Sequence, residues 1–407
     1  METLTLFEEH DLTACTTFGA PVECKTYFPA WDERVLVQAL DEARKKDFPV
    51  ALIGQGSNVI FCTDYFDGAV IRYMDDKQRL KLTATDDPED SDYAFVNIFG
   101  GYLWDNAVLA CVKMGLSGAE ALSGIPGTAA AALVQNIGAY GCEIKDILHS
   151  AKVYDRKDGS INVFTPADFQ FGYRTSIIKQ SVTESDFMYY PTPRYIVLNI
   201  TLRLKKASEL VINDERLSKT FNIELGKRVK TMYFRKRILA TRRKKGMIYD
   251  ADDSDTHSTG SYFQNPIIER DKLEMLPRDI PVYETCSQDK VKISAAYLIE
   301  NSGFKKGYAF QKSDAYISTR HALAIANYGH ATYHDVLELQ EIITNGVYNK
   351  FGVKLHPEVN LLKNRNDVLM RSNLRTFTSL SGVFPGDANG HFSLNSDFFD
   401  FINKRDV

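Results

Sequence analysis

The chain has 407 residues, 44% of them hydrophobic and 25% charged, a length and balance that support two or three domains with buried cores. Its formal net charge of −4 at pH 7 excludes a surface built throughout for nucleic acid, which needs a basic face to neutralise phosphates. Six cysteines (Cys15, Cys24, Cys62, Cys111, Cys142 and Cys286) include no C-x-x-C pair, so the spacing of a zinc site or redox dithiol is missing and reduced, mostly buried thiols are expected, with no metal.

The chain opens on Met1-Glu2-Thr3, without the basic and apolar regions of a secretion signal, and no stretch approaches the roughly 18 uninterrupted apolar residues of a membrane span; a cytoplasmic protein without membrane insertion is expected. In "ERVLVQALDEARKK" (33–46), Val35, Leu36, Ala39, Leu40 and Ala43 share one face, which predicts an amphipathic helix. "PVALIG" (49–54) predicts a short buried strand that runs into the glycine-bracketed turn Gly54-Gln55-Gly56-Ser57-Asn58. The β-branched and aromatic runs "YAFVNIFG" (93–100), "AKVYDR" (151–156), "INVFT" (161–165) and "YIVLNITLRL" (195–204) predict strands, and "LWDNAVLACVKMG" (103–115) a helix. Helices packed on mixed sheets, an α+β arrangement, follow.

Between them lies "GIPGTAAAALVQNIGAYG" (124–141), a segment of Gly, Ala, Gln and Asn without a charge. Glycine is needed where φ is positive or where the main chain approaches a ligand, and successive N–H groups in such turns form an anion-binding concavity. Paired with "GQGSN", the segment can let a diphosphate and a flat ring lie against main chain; tight packing of small residues at a helix–strand contact is the alternative. It fits neither the G-x-G-x-x-G dinucleotide fingerprint nor a P-loop.

Near residue 206 a third region begins. "GKRVKTMYFRKRILATRRKKGM" (226–247) sets Val229, Met232, Tyr233 and Leu239 at roughly helical spacing among ten Lys or Arg and no acid, which reads as a solvated charged face or a nucleic-acid helix. After the acidic turn "DADDSD" (250–255) come "GSYFQNP", helices at "KISAAYLIENSG" and "YHDVLELQEIITNGVYNKFG", and a strand at "KLHPEVNLL" (354–362). From Lys363 onward, including "FPGDANGH" and "DFFDFI", the sequence has no pattern that assigns a role.

In order along the chain, "TTFG" (16–19), "PVALIGQGSNVIF" (49–61), "GLSGAEALSGIPGTAAAALVQNIGAYGCEIKD" (115–146), "FGYRTSIIK" (171–179), "GSYFQNP" (260–266) and "LHPEVNLL" (355–362) resemble the UDP-N-acetylenolpyruvoylglucosamine reductase (MurB) family, in its form with an extra substrate loop. The resemblance implies a two-lobed FAD-binding region of the vanillyl-alcohol-oxidase (PCMH) type, with lobes at 1–73 and 74–225, an α+β substrate-binding domain at 226–362, and a tail at 363–407. It implies an enzyme of peptidoglycan precursor synthesis in which NADPH reduces FAD and the flavin passes hydride to an enolpyruvyl UDP-sugar, with no nucleic-acid partner. Arg174 and Glu358 would polarise the enolate intermediate and Ser261 would protonate it. The cofactor would be held by Gly54, Gln55, Gly56, Ser57, Asn58, Ser123, Gly127, Gln135, Asn136, Gly138 and Gly141. Lys245, with Arg242 behind it, and Asn265 would bind substrate, while His257 reads as structural.

Three stretches depart from the family pattern. Asn213 and Asp214 stand where a tyrosine folds over the UDP, which leaves open a catalytically degenerate flavoprotein with a binding or regulatory role. Phe99 stands at a glycine-type position, where it either crowds the flavin or is repacked. Alanines in "GTAAAALVQNIG" replace a glycine and serine mixture, a change that backbone contacts would survive.

Overall fold

Asp32 starts the first helix by accepting the Val35 N–H at 2.7 Å, and α1 (Glu33–Lys45) buries all five apolar residues of its predicted face. The computed structural model describes residues 4–75, 77, 79–83, 90–181 and 190–368. Met1–Asn364 form one unit and Arg365–Val407 a second; of the second, only residues 365–368, which are helical, are described, and most of the unassigned tail lies outside the described residues.

Helix α1 packs on a sheet whose strands run in the order Phe7–Asp11, Glu23–Ala30, Tyr65–Tyr73 and Val50–Ile53. Its last three strands are parallel, and the first is antiparallel to its neighbour. A second, antiparallel sheet follows the order Ile161–Phe164, Leu148–Asp155, Tyr195–Lys206, Tyr93–Phe99 and Leu80–Thr83. Its long central strand buries Ile196, Val197, Leu198, Ile200, Leu202 and Leu204, as a strand covered on both faces at one end and one face at the other would. Helices α2 (Trp104–Lys113) and α3 (Ala129–Val134) join α1 and this sheet in one apolar cluster. Phe99 belongs to that cluster, 7% exposed, with its ring edge-on to Tyr73 at 5.2 Å, so this departure is repacking into the core.

The one-turn α4 (Ile177–Gln180) follows the "GYRTS" turn. At α5 (Glu215–Phe221), Asp214 accepts the N–H groups of Arg216 and Leu217 at 2.7 and 3.0 Å; the stretch that lacks the lid tyrosine builds a helix start. The basic segment divides. Arg228–Lys230 pair as a strand with Glu209–Val211, and α6 (Thr231–Lys244) begins only after them. Its buried face is Thr231, Phe234, Arg235, Ile238 and Arg242; of the apolar set expected from spacing, Met232 packs against the main apolar cluster and Val229 is buried in the preceding strand, while Tyr233 is 49% exposed. Arginine stems can line a helix's inner face when their heads find partners, and hydropathy counting misses this.

Beyond α6, strands Ser258–Ser261, Ala324–Asn327 and Ala315–Ile317 form one sheet, and Ile267–Glu269, Lys290–Ile293 and Val282–Glu284 another. Helices α7 (Ala295–Asn301) and α8 (Tyr333–Phe351) pack beside them. The expected strand at 354–362 is shorter, Asn360–Leu362, and lies parallel to Val59–Phe61; Pro357 removes a ladder donor just upstream. Phe18, Ala20, Ile60 and Cys62 belong to the apolar cluster of this C-terminal part. Every cysteine is free, and only Cys286 is exposed. Among the described residues no helix is long and apolar enough to cross a membrane.

Candidate active site

The two glycine segments meet because small residues let them. A Cβ on Gly54 would stand 2.7 Å from Thr128 Oγ1, and one on Gly56 (φ +68°) 2.2 Å from the Cys15 carbonyl oxygen, so both positions exclude larger residues through packing. The Gly127 N–H donates to Gln55 Oε1 at 2.8 Å, and Thr128 caps α3. Tight packing thus accounts for one side of these turns. Their other side lines a cavity of ≈ 630 Å³, a volume typical of small-molecule and cofactor sites.

The same cavity is lined by Arg174, Lys179, Arg242, Ser261, Asn265 and Glu358, together with Gly54 to Asn58, Gly127, Gln135 and Gly138. Arg174 has φ +54°, a left-handed conformation uncommon outside glycine, in the turn closed between Gly172 and Thr175. Its Nη2 donates to the Gly138 carbonyl at 2.5 Å, and its Nε lies 3.4 Å from Glu358 Oε1. Gln135 Nε2 donates to the same carboxylate oxygen at 3.3 Å. Lys179 Nζ closes the group, donating to Gln135 Oε1 at 2.6 Å and to the carbonyls of Arg174 and Glu358 at 3.4 and 3.5 Å. Burial pushes the Lys179 pKa below the usual lysine value, against the pull of Glu358.

Glu358 is delivered by its backbone N–H, which donates to the Tyr262 carbonyl at 2.7 Å, beside the Phe263–Pro357 bridge. Ser261 ends its strand opposite Ala324, half-buried in the cavity wall. Asn265 accepts the Ala295 N–H at 2.9 Å through Oδ1, which ties it to the start of α7. Burial raises the Tyr173 pKa; this ring also lines the cavity and carries Lys292 Nζ 4.2 Å from its centroid.

Four expected ligand residues lie outside the lining. Ser123 is fully buried and donates to the Glu120 carbonyl at 2.6 Å, and Gly141 sits at φ +84° in the turn beyond Gly138. Asn136, also fully buried, donates through Nδ2 to the Gly172 carbonyl at 2.8 Å, bracing the Arg174 turn from behind. Lys245 is exposed at the C-cap of α6, while Arg242, one helical turn earlier on the inner face, reaches the cavity wall. Arg242 Nε is buried without a hydrogen-bond partner, its Nη2 donates to the Met247 carbonyl at 3.3 Å, and burial lowers its pKa. His257 contacts the Ala251 carbonyl at 3.2 Å and stacks on Tyr249, away from the lining.

Sequence reasoning left Lys179 and Tyr173 without roles. Both stand within the quoted "FGYRTSIIK", but only the Arg174 turn, which reverses the chain into α4, brings the Lys179 amine back to Gln135 and Glu358.

A family model described as the UDP-N-acetylenolpyruvoylglucosamine reductase C-terminal domain matches residues 252–362, and one described as an FAD binding domain matches residues 28–165. A UDP-N-acetylenolpyruvoylglucosamine reductase of Mycobacterium sp. (strain MCS) is 35% identical over 354 residues, covering 86% of this chain and 94% of the relative. One of Mycolicibacterium gilvum (strain PYR-GCK) is 37% identical over 316 residues, covering 76% and 84%. Among solved structures, UDP-N-acetylenolpyruvylglucosamine reductase (MurB) from Thermus caldophilus shares the fold at TM-score 0.55 and 23% identity, covering 89% of this chain and 100% of that one.

Proposed function

The chain belongs to the UDP-N-acetylenolpyruvoylglucosamine reductase family, an α+β flavoprotein family, and from that premise we propose that it reduces the enolpyruvyl group of a UDP-sugar to give UDP-N-acetylmuramate in cytoplasmic peptidoglycan precursor synthesis. The observation that carries this reading is one cavity whose walls hold both the Gly54–Asn58 turn and the Arg174–Glu358 pair with Ser261.

The residues present fit FAD. The Gly54 to Asn58 turn offers main chain to a diphosphate, and the buried Arg242 guanidinium, orphaned at Nε, suits an anionic occupant of the same cavity. The chemistry FAD supplies when bound is two-electron transfer from NADPH to the enolpyruvyl sugar.

This chain's side chains then handle charge and the proton. Hydride arrival at the terminal alkene carbon leaves an enolate conjugated to a carboxylate, which needs fixed positive charge near its oxygens. Arg174 and Lys179 bring two cations to Glu358, with Glu143 Oε1 a further 3.9 Å partner of Arg174 Nη1, and Gln135 links Lys179 to the Glu358 carboxylate. Gly138 and Glu358 hold the Arg174 guanidinium at Nη2 and Nε, so its orientation is set before substrate enters. Ser261 gives its hydroxyl proton to the carbon bearing the carboxylate, and the alkoxide is reprotonated from water.

The two half-reactions separate these roles. Flavin reduction by NADPH delivers no proton to carbon, so Ser261→Ala is expected to be bleached at close to the wild-type rate. Reoxidation by the enolpyruvyl sugar is expected to slow by about 10²–10⁴-fold, the usual cost of losing a positioned general acid. Anaerobic stopped-flow absorbance reads both; reoxidation within a few-fold of wild type removes Ser261 from the donor role.

A further inference from the structure

The segment at residues 15–19 sits between the two halves of the site. Thr17, 6% exposed, donates its N–H to the Gly56 carbonyl at 3.2 Å, on the flavin-side turn, and its Oγ1 to the Ser258 carbonyl at 2.7 Å, on the strand that ends at Ser261. Thr17 thus bonds both the turn and the donor strand. The main chain of Cys15 and Thr16 occupies the space that a Cβ on Gly56 would need, so the contact with the turn is tight as well as hydrogen-bonded. On the other side, Asn327 Nδ2 donates to the Phe18 carbonyl at 2.9 Å and the Asn327 N–H to the His257 carbonyl at 2.9 Å, which clamps the same segment to the neighbouring strand.

We propose that Thr17 is a positioning residue for proton delivery: its hydroxyl sets the place of the Ser258–Ser261 strand relative to the Gly54–Asn58 turn, and so the place of the Ser261 hydroxyl relative to a flavin held there. Direct contact with substrate or cofactor is not part of the role, and Thr17 does not line the cavity. The pairing of the Ser258–Ser261 strand with Ala324–Asn327 is irregular between Ser258 and Ser261, and the Thr17 hydroxyl bond gives its Ser258 end a second anchor outside that ladder. A displacement near 1 Å at a reacting group is enough to cost on the order of 10²-fold in rate.

The inference rests on Ser261 as donor, and the experiment separates the two ideas. Thr17→Val keeps the shape and removes the hydroxyl; Thr17→Ser keeps the hydroxyl. In the flavin-loaded full-length enzyme, Thr17→Val is expected to leave reduction by NADPH within about twofold and to slow reoxidation by the enolpyruvyl sugar about 10- to 100-fold, with Thr17→Ser restoring most of the loss. In a Ser261→Ala background Thr17→Val is expected to add nothing to the reoxidation defect, because a residue that acts through another is silent once that other is gone. Equal slowing of both half-reactions, an undiminished Thr17→Val effect in the Ser261→Ala background, or a Thr17→Ser enzyme as slow as Thr17→Val each overturns the positioning role. If Ser261→Ala by itself leaves reoxidation unchanged, the donor assignment fails first. Should Thr17→Val not retain flavin, Thr17→Ser and Asn327→Ala, which loosens the same segment from its other side, carry the test: Asn327→Ala must slow reoxidation selectively, and an unselective loss counts against the proposal.

Discussion

At the scale of single residues, the site is a set of charged groups whose partners the chain supplies from far apart. Glu358 meets Gln135 across 223 residues, and no periodicity records that meeting. Arg174 and Glu358 were singled out through motif resemblance and line the cavity; Lys179 was not, because its approach to Gln135 depends on a left-handed residue that local sequence does not mark. His321 makes a measurable case of the same kind. Burial, reinforced by Lys245, Arg242 and Lys306, pushes its pKa from 6.5 down to about 4, and its Nδ1 is buried without a partner. A folded-state pKa below the unfolded value means that the unfolded chain binds the proton first. The neutral-histidine contribution is therefore fully present above pH 6.5 and is lost as pH falls toward 4. The loss amounts to up to about 3 kcal/mol. Asp105 and Asp255, whose pKa values are lowered below 3.8, lose their contributions only in stronger acid. Thermal denaturation followed from pH 7 to 4 should show a falling midpoint that His321→Gln flattens; an unchanged slope in that variant would assign the loss to other groups.

At the scale of elements, α6 shows how arginines can complete a helix's inner face. Ten cations between Lys227 and Lys245 read, from spacing alone, as a solvated face or a nucleic-acid helix, yet Arg235 and Arg242 are buried. Arg235 forks onto Asp105 of α2 with Nη1 and Nη2 at 2.6 and 2.7 Å, and Asp105 Oδ1 also accepts the Gly124 N–H at 2.5 Å. This one carboxylate therefore fastens α6, α2 and the start of the glycine segment together, on the helix whose Arg242 lines the cavity. Sequence could supply both charges but not their pairing, since they are 130 residues apart. Removing the acid alone leaves the Arg235 guanidinium buried without its partner, and such half-pairs cost roughly 3–5 kcal/mol. Asp105→Ala is expected to lower the thermal midpoint by several degrees and to weaken flavin retention, whereas Asp105→Leu combined with Arg235→Met recovers much of the stability. Calorimetry and the flavin-to-protein absorbance ratio check both; an Asp105→Ala protein as stable as wild type would show that the fork contributes little to holding α6.

Across the whole molecule, the sequence resemblance sets a substrate domain at 226–362, and the packing of that part is not self-contained. Phe18, Ala20, Ile60 and Cys62 lie in its apolar cluster, and strand Asn360–Leu362 has Val59–Phe61 as its partner. Phe18 is 1% exposed there, and a buried aromatic of this kind typically stabilises by about 3–5 kcal/mol relative to alanine. The β and helical patterns of the region were legible because apolar spacing is local. Its dependence on residues 18–20 and 59–62 was not, because "TTFG" and "VIF" look like ordinary turn and strand from their own surroundings. The Val59–Phe61 strand that follows the Gly54–Asn58 turn also anchors the segment carrying Glu358, so turn and carboxylate share one support. A fragment of residues 226–362 expressed alone therefore lacks both part of its core and a strand partner. It is expected to show no cooperative thermal transition and no sharp near-ultraviolet circular dichroism, while adding a separately expressed fragment of residues 1–225 together with FAD restores both. Cooperative unfolding of the 226–362 fragment by itself would mean that its own apolar contacts suffice and that Phe18, Ala20, Ile60 and Cys62 only seal its edge.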